Sequence, residues 1–249
     1  YTRCNFDVMN KIHFEIGETA VTIVSEADYI QVAKDAIFDA RAIIQTKIQE
    51  DSYFKVSFEP IVAENGDDDL IKRMCSASVS AGVGPMAGVA GAIAVYAVER
   101  MCIAGARYAI VENGGDIALI TDREISVGLY ANDPSFENLA FRIPNTNGIT
   151  GICSSSGLVG PSVSFGNSGI CTVFSDDVIL ADACATALGN LVVKGESGEM
   201  SFALETIGNI AGVNGCAVYC NGLFAVYGDV PELVRSKVNV DGITKIEFN

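Results

Sequence analysis

The chain has 249 residues, 49% of them hydrophobic, with 16 basic against 31 acidic residues and a net charge of −15. That length and apolar content suffice for one large domain or two small ones and exclude global disorder. The acidity argues against nucleic acid and against an anionic membrane surface as partners, since both would be repelled. An anionic ligand would need a locally neutral or positive pocket, or a metal ion as intermediary.

In chain order, residues 11–24 alternate like a strand pair around Gly17,. His13, the only histidine, falls in the first of these strands, where packing or surface placement is favoured over a nucleophile-base role. Ser25 or Asp28 can then cap a helix. Its apolar face is Ile30, Ala33, Ile37, Ala40, Ile44 and Ile48, running to about Gln49,. "ENGDDD" at 64–69 reads as a polar loop or helix start with its charges in solvent. Residues 77–98 carry no charge and have the length of a membrane span,. Their Gly, Ala, Ser and Pro content gives low affinity for lipid, so a closely packed core helix is expected. Pro85 suits its first turn and Gly105 its C-terminal stop,.

Residues 106–111, 117–121 and 124–131 read as three strands. The first two are separated by Glu112, Asn113, Gly114, Gly115 and Asp116. Asn-Gly is a hairpin signal because both residues tolerate φ > 0. Glycines also let backbone approach a ligand, and carboxylates can hold a metal or a ribose, so the turn doubles as a candidate site edge. From Ile143 to Ser175 there is no Asp, Glu, Lys or Arg. This Ser/Gly-rich stretch is either an ordinary turn-rich loop or a neutral anion cradle of hydroxyls and backbone N–H groups.

Residues 177–193 read as a helix ending near Gly195. Asp182 and Thr186 stand four apart on one face and can offer a carboxylate and a hydroxyl to one hard cation. The structural alternative has Thr186 back-bonded and Asp182 helping to cap the first turn. Cys184 and Ala185, on other faces, would pack. Cys216–Cys220 and Leu223–Tyr227 form a hairpin across Asn221-Gly222, and "ITKIEF" alternates like a final strand,. The expected fold is α+β with mainly antiparallel sheets packed with helices, in a single domain over 1–249 or two intimately packed subdomains.

Eight cysteines show no C-x-x-C pair and no zinc spacing,. With no secretory signal in view, they read as free thiols of a reducing cytoplasm, and a start at Tyr1 leaves room for a missing leader. Cys153 borders the "SSSG" run, where N–H groups could lower its pKa, and it is the candidate catalytic thiol. The alternative for Cys153 is a small buried hydrophobe.

The segments "ENGGDI", "GLYANDP", "SSSG" and "ADACATAL" occur in the order found in ApbE-like proteins. The first resembles the family's N-x-G-G-D-I segment and the last its A-D-x-x-x-T-A segment. A closer similarity is to an uncharacterised ApbE-like branch, through Glu18–Val21, "VGPMAGVAGAIA" at Val83–Ala94, and Ser155–Gly166. The resemblance spans nearly the whole chain. It implies an ApbE-like fold, Mg²⁺ at Asp182 and Thr186, and FAD or FMN bound by Asn113, Gly114, Gly115, Asp116, Ser155, Ser156 and Gly157. FMN transferases of this superfamily usually carry A-K-G in the segment matching Val89–Ala94 and a His-x-x-Asp-Pro further on. This chain has "VAGAIA" and no such histidine segment, and it has Pro161 where the closer branch tends to place a histidine. The implied function is therefore a cytosolic protein with a cleft for a small anionic ligand such as a nucleotide. That branch is linked to homocysteine formation and sulfide assimilation in anaerobes. An active Mg²⁺-dependent FMN transferase and a non-catalytic sulfur-transfer or scaffold partner are the alternatives.

Overall fold

The computed structural model describes residues 9–17, 19–128, 139–156 and 169–235. The last expected strand, "ITKIEF", lies outside them. An eight-stranded antiparallel sheet is built from β1 (Asn10–Ile16), β2 (Thr19–Ser25), β3 (Ala109–Asn113), β4 (Asp116–Ile120), β7 (Thr150–Ser155), β8 (Ile170–Ser175), β9 (Val213–Cys220) and β10 (Leu223–Gly228), side by side in that order. A smaller sheet holds β11 (Leu233–Arg235), β6 (Leu139–Ile143) and β5 (Ile125–Gly128). The third strand expected after residue 124 therefore belongs to a different sheet from its two predecessors.

Strand alternation gives the large sheet two apolar faces. One carries Val21, Ile23, Val111, Ala118, Val173 and Val218 and is covered by helices. The other carries Leu119, Ile152, Phe174 and Tyr219 and is covered by Phe141 and Ile143 of the small sheet. The helices are α1 (Ala27–Glu50), α2 (Tyr53–Val56), α3 (Asp69–Ala81), α4 (Val89–Ile103), α5 (Val178–Leu191) and α6 (Ser197–Gly208), with a 3-10 turn at Pro85–Gly88 before α4. Helix α1 buries Ala33, Ile37, Ala40 and Ile44, the expected face. Its cap differs from expectation. Glu26 holds the cap position without a side-chain bond, while the Ser25 hydroxyl donates to the Tyr108 carbonyl at 2.7 Å.

The 64–69 segment also differs. Asp68 caps α3 by accepting from Leu70 N at 2.8 Å, and Asp67 does not face solvent. It is sealed against α1, where Lys47 Nζ donates to it at 2.7 Å. A three-residue run of aspartates suggests hydration, but a long lysine side chain can bury its stem and deliver its charge inward.

Pro85–Ile103 is long and apolar enough to cross a membrane, but it packs against α1, β3 and β4 with half of its most apolar window buried. Small residues explain the fit. A side chain at Gly88 would meet Ile179, and one at Gly91 would stand 2.9 Å from the Asp182 Cβ and from the Val178 carbonyl. These glycines let α4 lie directly on α5.

Candidate functional site

The site lies at one end of the large sheet, on its helix-covered face. Asn113 and Asp116 are opposite one another across the β3–β4 hairpin, and Asp116 is opposite Cys153 on β7. Directly opposed residues point to the same face, so these three side chains form a row. Gly114 and Gly115 make the turn at φ +67° and +107°, the left-handed region that glycine adopts without strain,. The expected hairpin and the expected site edge are thus one structure. Glu112 is the exception. As the neighbour of Asn113 on a strand it points to the other face, opposite Thr22 and Ile117, so it does not join the row,.

Helix α5 runs along β7 on this face. A side chain at Gly151 would collide with Val178, and the Cys153 thiol donates to the Val178 carbonyl at 3.6 Å. Four helical residues advance about 6 Å, close to the rise of two strand residues, about 6.6 Å. Asp182 is thereby carried over Cys153 and Asp116, and Thr186 over Ser155. Asp182 is buried, contrary to the expectation of a helix-surface carboxylate; the whole helix is enclosed between the sheet, α3, α4 and α6. The capping role goes to Asp177, which accepts from Ile179 N and Leu180 N.

The first turn of α4 closes the site. Gly91 N donates to Asp182 Oδ2 at 2.7 Å, and Ala90 N also bonds this carboxylate. Asn113 Nδ2 donates to the Ala90 carbonyl at 3.2 Å. Neither Ala90 nor Gly91 was singled out as a site residue. The available signal was the spacing of small residues in "GPMAGVAG", which marks a helix that another element must approach closely.

Electrostatically the row is uncompensated. Burial pushes the Asp116 carboxyl up to about 7, with the Glu112 charge adding to it, while bonds from Ser154 N and the Cys153 thiol hold it down. Asp182 is pushed well above the usual carboxylate range by burial and then by the Asp116 charge, against the pull of the Gly91 and Ala90 N–H groups. The Cys153 thiol is pushed up by burial and by both carboxylates. The expected lowering by N–H groups comes only from the Ile117 N–H and is outweighed, because Cys153 is sealed and its neighbours are anionic.

The cradle expectation falls largely on residues 157–168, which lie outside the described residues. The charge-free stretch supplies two central strands, β7 and β8, whose burial on both faces accounts for the missing charges. Ser155 lies in the row's line, and its buried Oγ has no hydrogen-bond partner among the described residues. Ser156 Oγ donates to the Gly169 carbonyl at 2.8 Å. Gly157 lies outside the described residues. A separate cavity of about 480 Å³ opens between the two sheets, lined by Ile152, Phe174 and Arg142 among others. Its arginine is already taken by Glu124 and Glu232, and it has no part in the row.

The donor set suits a hard divalent cation. Two buried carboxylates that repel each other, with hydroxyls at Thr186 and Ser155, match Mg²⁺, which keeps waters and ligand oxygens in its shell. Among the described residues no group of three or more His, Cys, Asp or Glu is placed to hold a metal ion, so any cation here would have two carboxylates at most and would depend on hydroxyls, water and ligand oxygens for the rest of its shell,.

Comparison with known proteins supports the same fold. A family model described as AbpE bacteria matches residues 4–200. A UPF0280 protein of Methanocella arvoryzae is 44% identical over 93% of this chain and 94% of its own length. One from Archaeoglobus fulgidus is 43% identical over 95% of this chain and all of its own. Among solved structures, the flavinyl transferase ApbE of Pseudomonas stutzeri aligns with TM-score 0.56 at 11% identity, covering 91% of this chain and 96% of that one. The ApbE protein of Thermotoga maritima aligns with TM-score 0.56 at 13% identity, covering 92% and 97%. At such identities the structures speak for the fold, and the fold is that of the ApbE flavin transferases. The sequence relatives give the family: the chain belongs to the uncharacterised, ApbE-like UPF0280 proteins.

Proposed function

We propose that the protein binds a phosphate-bearing nucleotide, FAD or FMN first among them, through Mg²⁺ held by Asp116, Asp182 and Thr186. The observation that carries this reading is the buried pair of carboxylates Asp116 and Asp182, on which no basic side chain among the described residues acts. Two like charges withdrawn from water destabilise a fold, and a divalent ion reverses their sign of contribution. When bound, Mg²⁺ would supply positive charge to the ligand's phosphate oxygens. The protein's own part is to fix Asp182 with the α4 N–H groups, to bring the Gly114–Gly115 backbone close, and to offer the orphaned Ser155 hydroxyl. The test is calorimetric titration of FAD, FMN and ADP with and without Mg²⁺. Binding should require Mg²⁺ in the wild type, and Asp182→Asn should weaken it by at least about tenfold, the loss of one charge-assisted contact. Binding that ignores Mg²⁺ in both proteins would remove Asp116 and Asp182 from the site.

FMN transfer to a protein threonine is the second reading, favoured by the shared fold and opposed by the missing A-K-G and histidine segments. Covalent flavin on a threonine-bearing acceptor after incubation with FAD and Mg²⁺ would establish it. A cytoplasmic role in sulfur assimilation, alone or with a sulfur-transfer partner, rests on the family resemblance, and a sealed Cys153 argues that the thiol chemistry lies elsewhere. Sulfide-dependent growth of a deletion strain, complemented by wild type and by Cys153→Ser, tests both parts of that statement.

A further inference from the structure

We infer that Arg41 is the anion anchor of this cleft: its guanidinium, carried by α1, is set against the β1–β2 turn at the same sheet end as Asn113, Asp116 and Ser155. The inference rests on the nucleotide reading above and assigns a cation to a site that otherwise presents only carboxylates, hydroxyls and backbone.

The placement follows from strand register. Val21 of β2 lies opposite Asn113, so Thr19, two residues earlier, is on the same face and one step beyond, level with the Gly114–Gly115 turn. Arg41 Nη1 donates to the Thr19 hydroxyl. A side chain at Gly17 would stand 2.8 Å from Arg41 Nη2, which is one reason glycine occupies that turn beside its φ of +57°. Helices α1 and α4 pack side by side, and Tyr29 near the start of α1 lies against Gly105 at the end of α4. They therefore run in opposite directions, and the middle of α1 flanks the first turns of α4, where Ala90 and Gly91 hold Asp182. From Thr19 on β2 to Ser155 on β7 the row crosses three strand spacings, about 14 Å, the length of a nucleotide.

The electrostatic setting is the second argument. In a chain of 31 acidic and 16 basic residues, Lys47, Arg73, Arg123 and Arg142 each reach a carboxylate. Partly buried Arg41 forms no ion pair among the described residues, and its one bond there is to a neutral hydroxyl. A guanidinium has five N–H donors in a planar fork that fits phosphate or carboxylate two at a time. A half-buried guanidinium paired only with a hydroxyl is poised for an anion that arrives with the ligand.

The experiment compares FMN with riboflavin and ADP with adenosine, at fixed Mg²⁺, on wild type, Arg41→Gln and Arg41→Lys. Arg41→Gln should weaken the phosphate-bearing member of a binding pair at least about tenfold, leave its phosphate-free counterpart within about twofold, and be partly rescued by Arg41→Lys. Equal affinity of FMN and ADP for wild type and Arg41→Gln would overturn the inference while leaving the nucleotide reading intact. So would equal losses for both members of a pair, because that pattern marks a structural role. If wild type binds none of the four, the nucleotide reading falls and the anchor falls with it.

Discussion

Helices α1 and α5 each carry a buried ionisable side chain, and the two are treated in opposite ways. Lys47 of α1 meets Asp67 at 2.7 Å, and the pair is neutral. The bond to Asp67 leads in raising the Lys47 pKa, and although burial pushes Asp67 up, Lys47 and the Glu64 N–H bring it below the usual carboxylate range. Asp182 of α5 meets Asp116, a second carboxylate, and both are pushed up. One region resolves its charges within the fold. The other leaves a charge problem that a cation from outside can resolve. The difference separates a buried charge answered within the fold from one that the proposed nucleotide reading puts to use.

The largest effect should come from breaking the balanced pair. Lys47→Ala leaves Asp67 buried without its cation, and denaturant unfolding should show a loss of about 3 kcal/mol. A loss under 1 kcal/mol would mean that the pair is hydrated and does not belong in the comparison.

The pH dependence should separate the two regions by sign. Asp116 has a folded pKa of about 7, above its unfolded value, so between about pH 4 and pH 7 the folded state binds the extra proton and stability falls as pH rises,. Asp67, with a lowered folded pKa, acts oppositely: its contribution is present above the unfolded pKa and is lost as pH falls through the folded one,. Thermal stability should therefore be greatest near pH 5,. The decline towards pH 8 should be reduced by Asp116→Asn, with the buried Asp182 keeping the remainder, and offset by millimolar Mg²⁺, by about 2.7 kcal/mol when the ion is at a hundredfold excess over its Kd. A profile that is flat from pH 5 to 8 and indifferent to Mg²⁺ would dissolve the contrast.

Gly91→Ala probes the mechanical side of the same region. Its new methyl would stand 2.9 Å from the Asp182 Cβ and the Val178 carbonyl, so α4 must withdraw from α5. Destabilisation of about 1–3 kcal/mol is expected, with weaker Mg²⁺ response. The smallest effect is expected at Ser155→Ala, which deletes a buried hydroxyl with no partner among the described residues. Stability without ligand should hold or rise by about 1 kcal/mol, while nucleotide affinity falls. A clear loss of stability would show that the hydroxyl is already satisfied.

The parts of this picture legible in the sequence are those written in local patterns. The β1–β2, β3–β4 and β9–β10 hairpins follow from Gly17, Gly114-Gly115 and Asn221-Gly222, whose positive φ is a property of those residues; at β3–β4 the turn falls one residue after the Asn-Gly signal, with Asn113 still in the strand. The inner face of α1 follows from its spacing. The meeting of Asp116 with Asp182 was visible only through family motifs, because 65 residues and a change of layer separate them. Asp67 and Glu112 defeat local reading for related reasons. Whether an aspartate in an acidic run is dry depends on a lysine twenty residues away, and which face a strand-end glutamate takes depends on where the hairpin closes. Cys153 was chosen for its neighbours in sequence, whereas its chemistry is set by neighbours across the sheet.

The two backbone N–H groups on Asp182 have a kinetic consequence. A carboxylate fixed by Ala90 and Gly91 cannot search rotamers, so its ordering entropy is incurred during folding and not at the moment an ion arrives,. Capture of a cation would then be governed by how fast the ion sheds water and how often the site is deprotonated, with no side-chain rearrangement in the way.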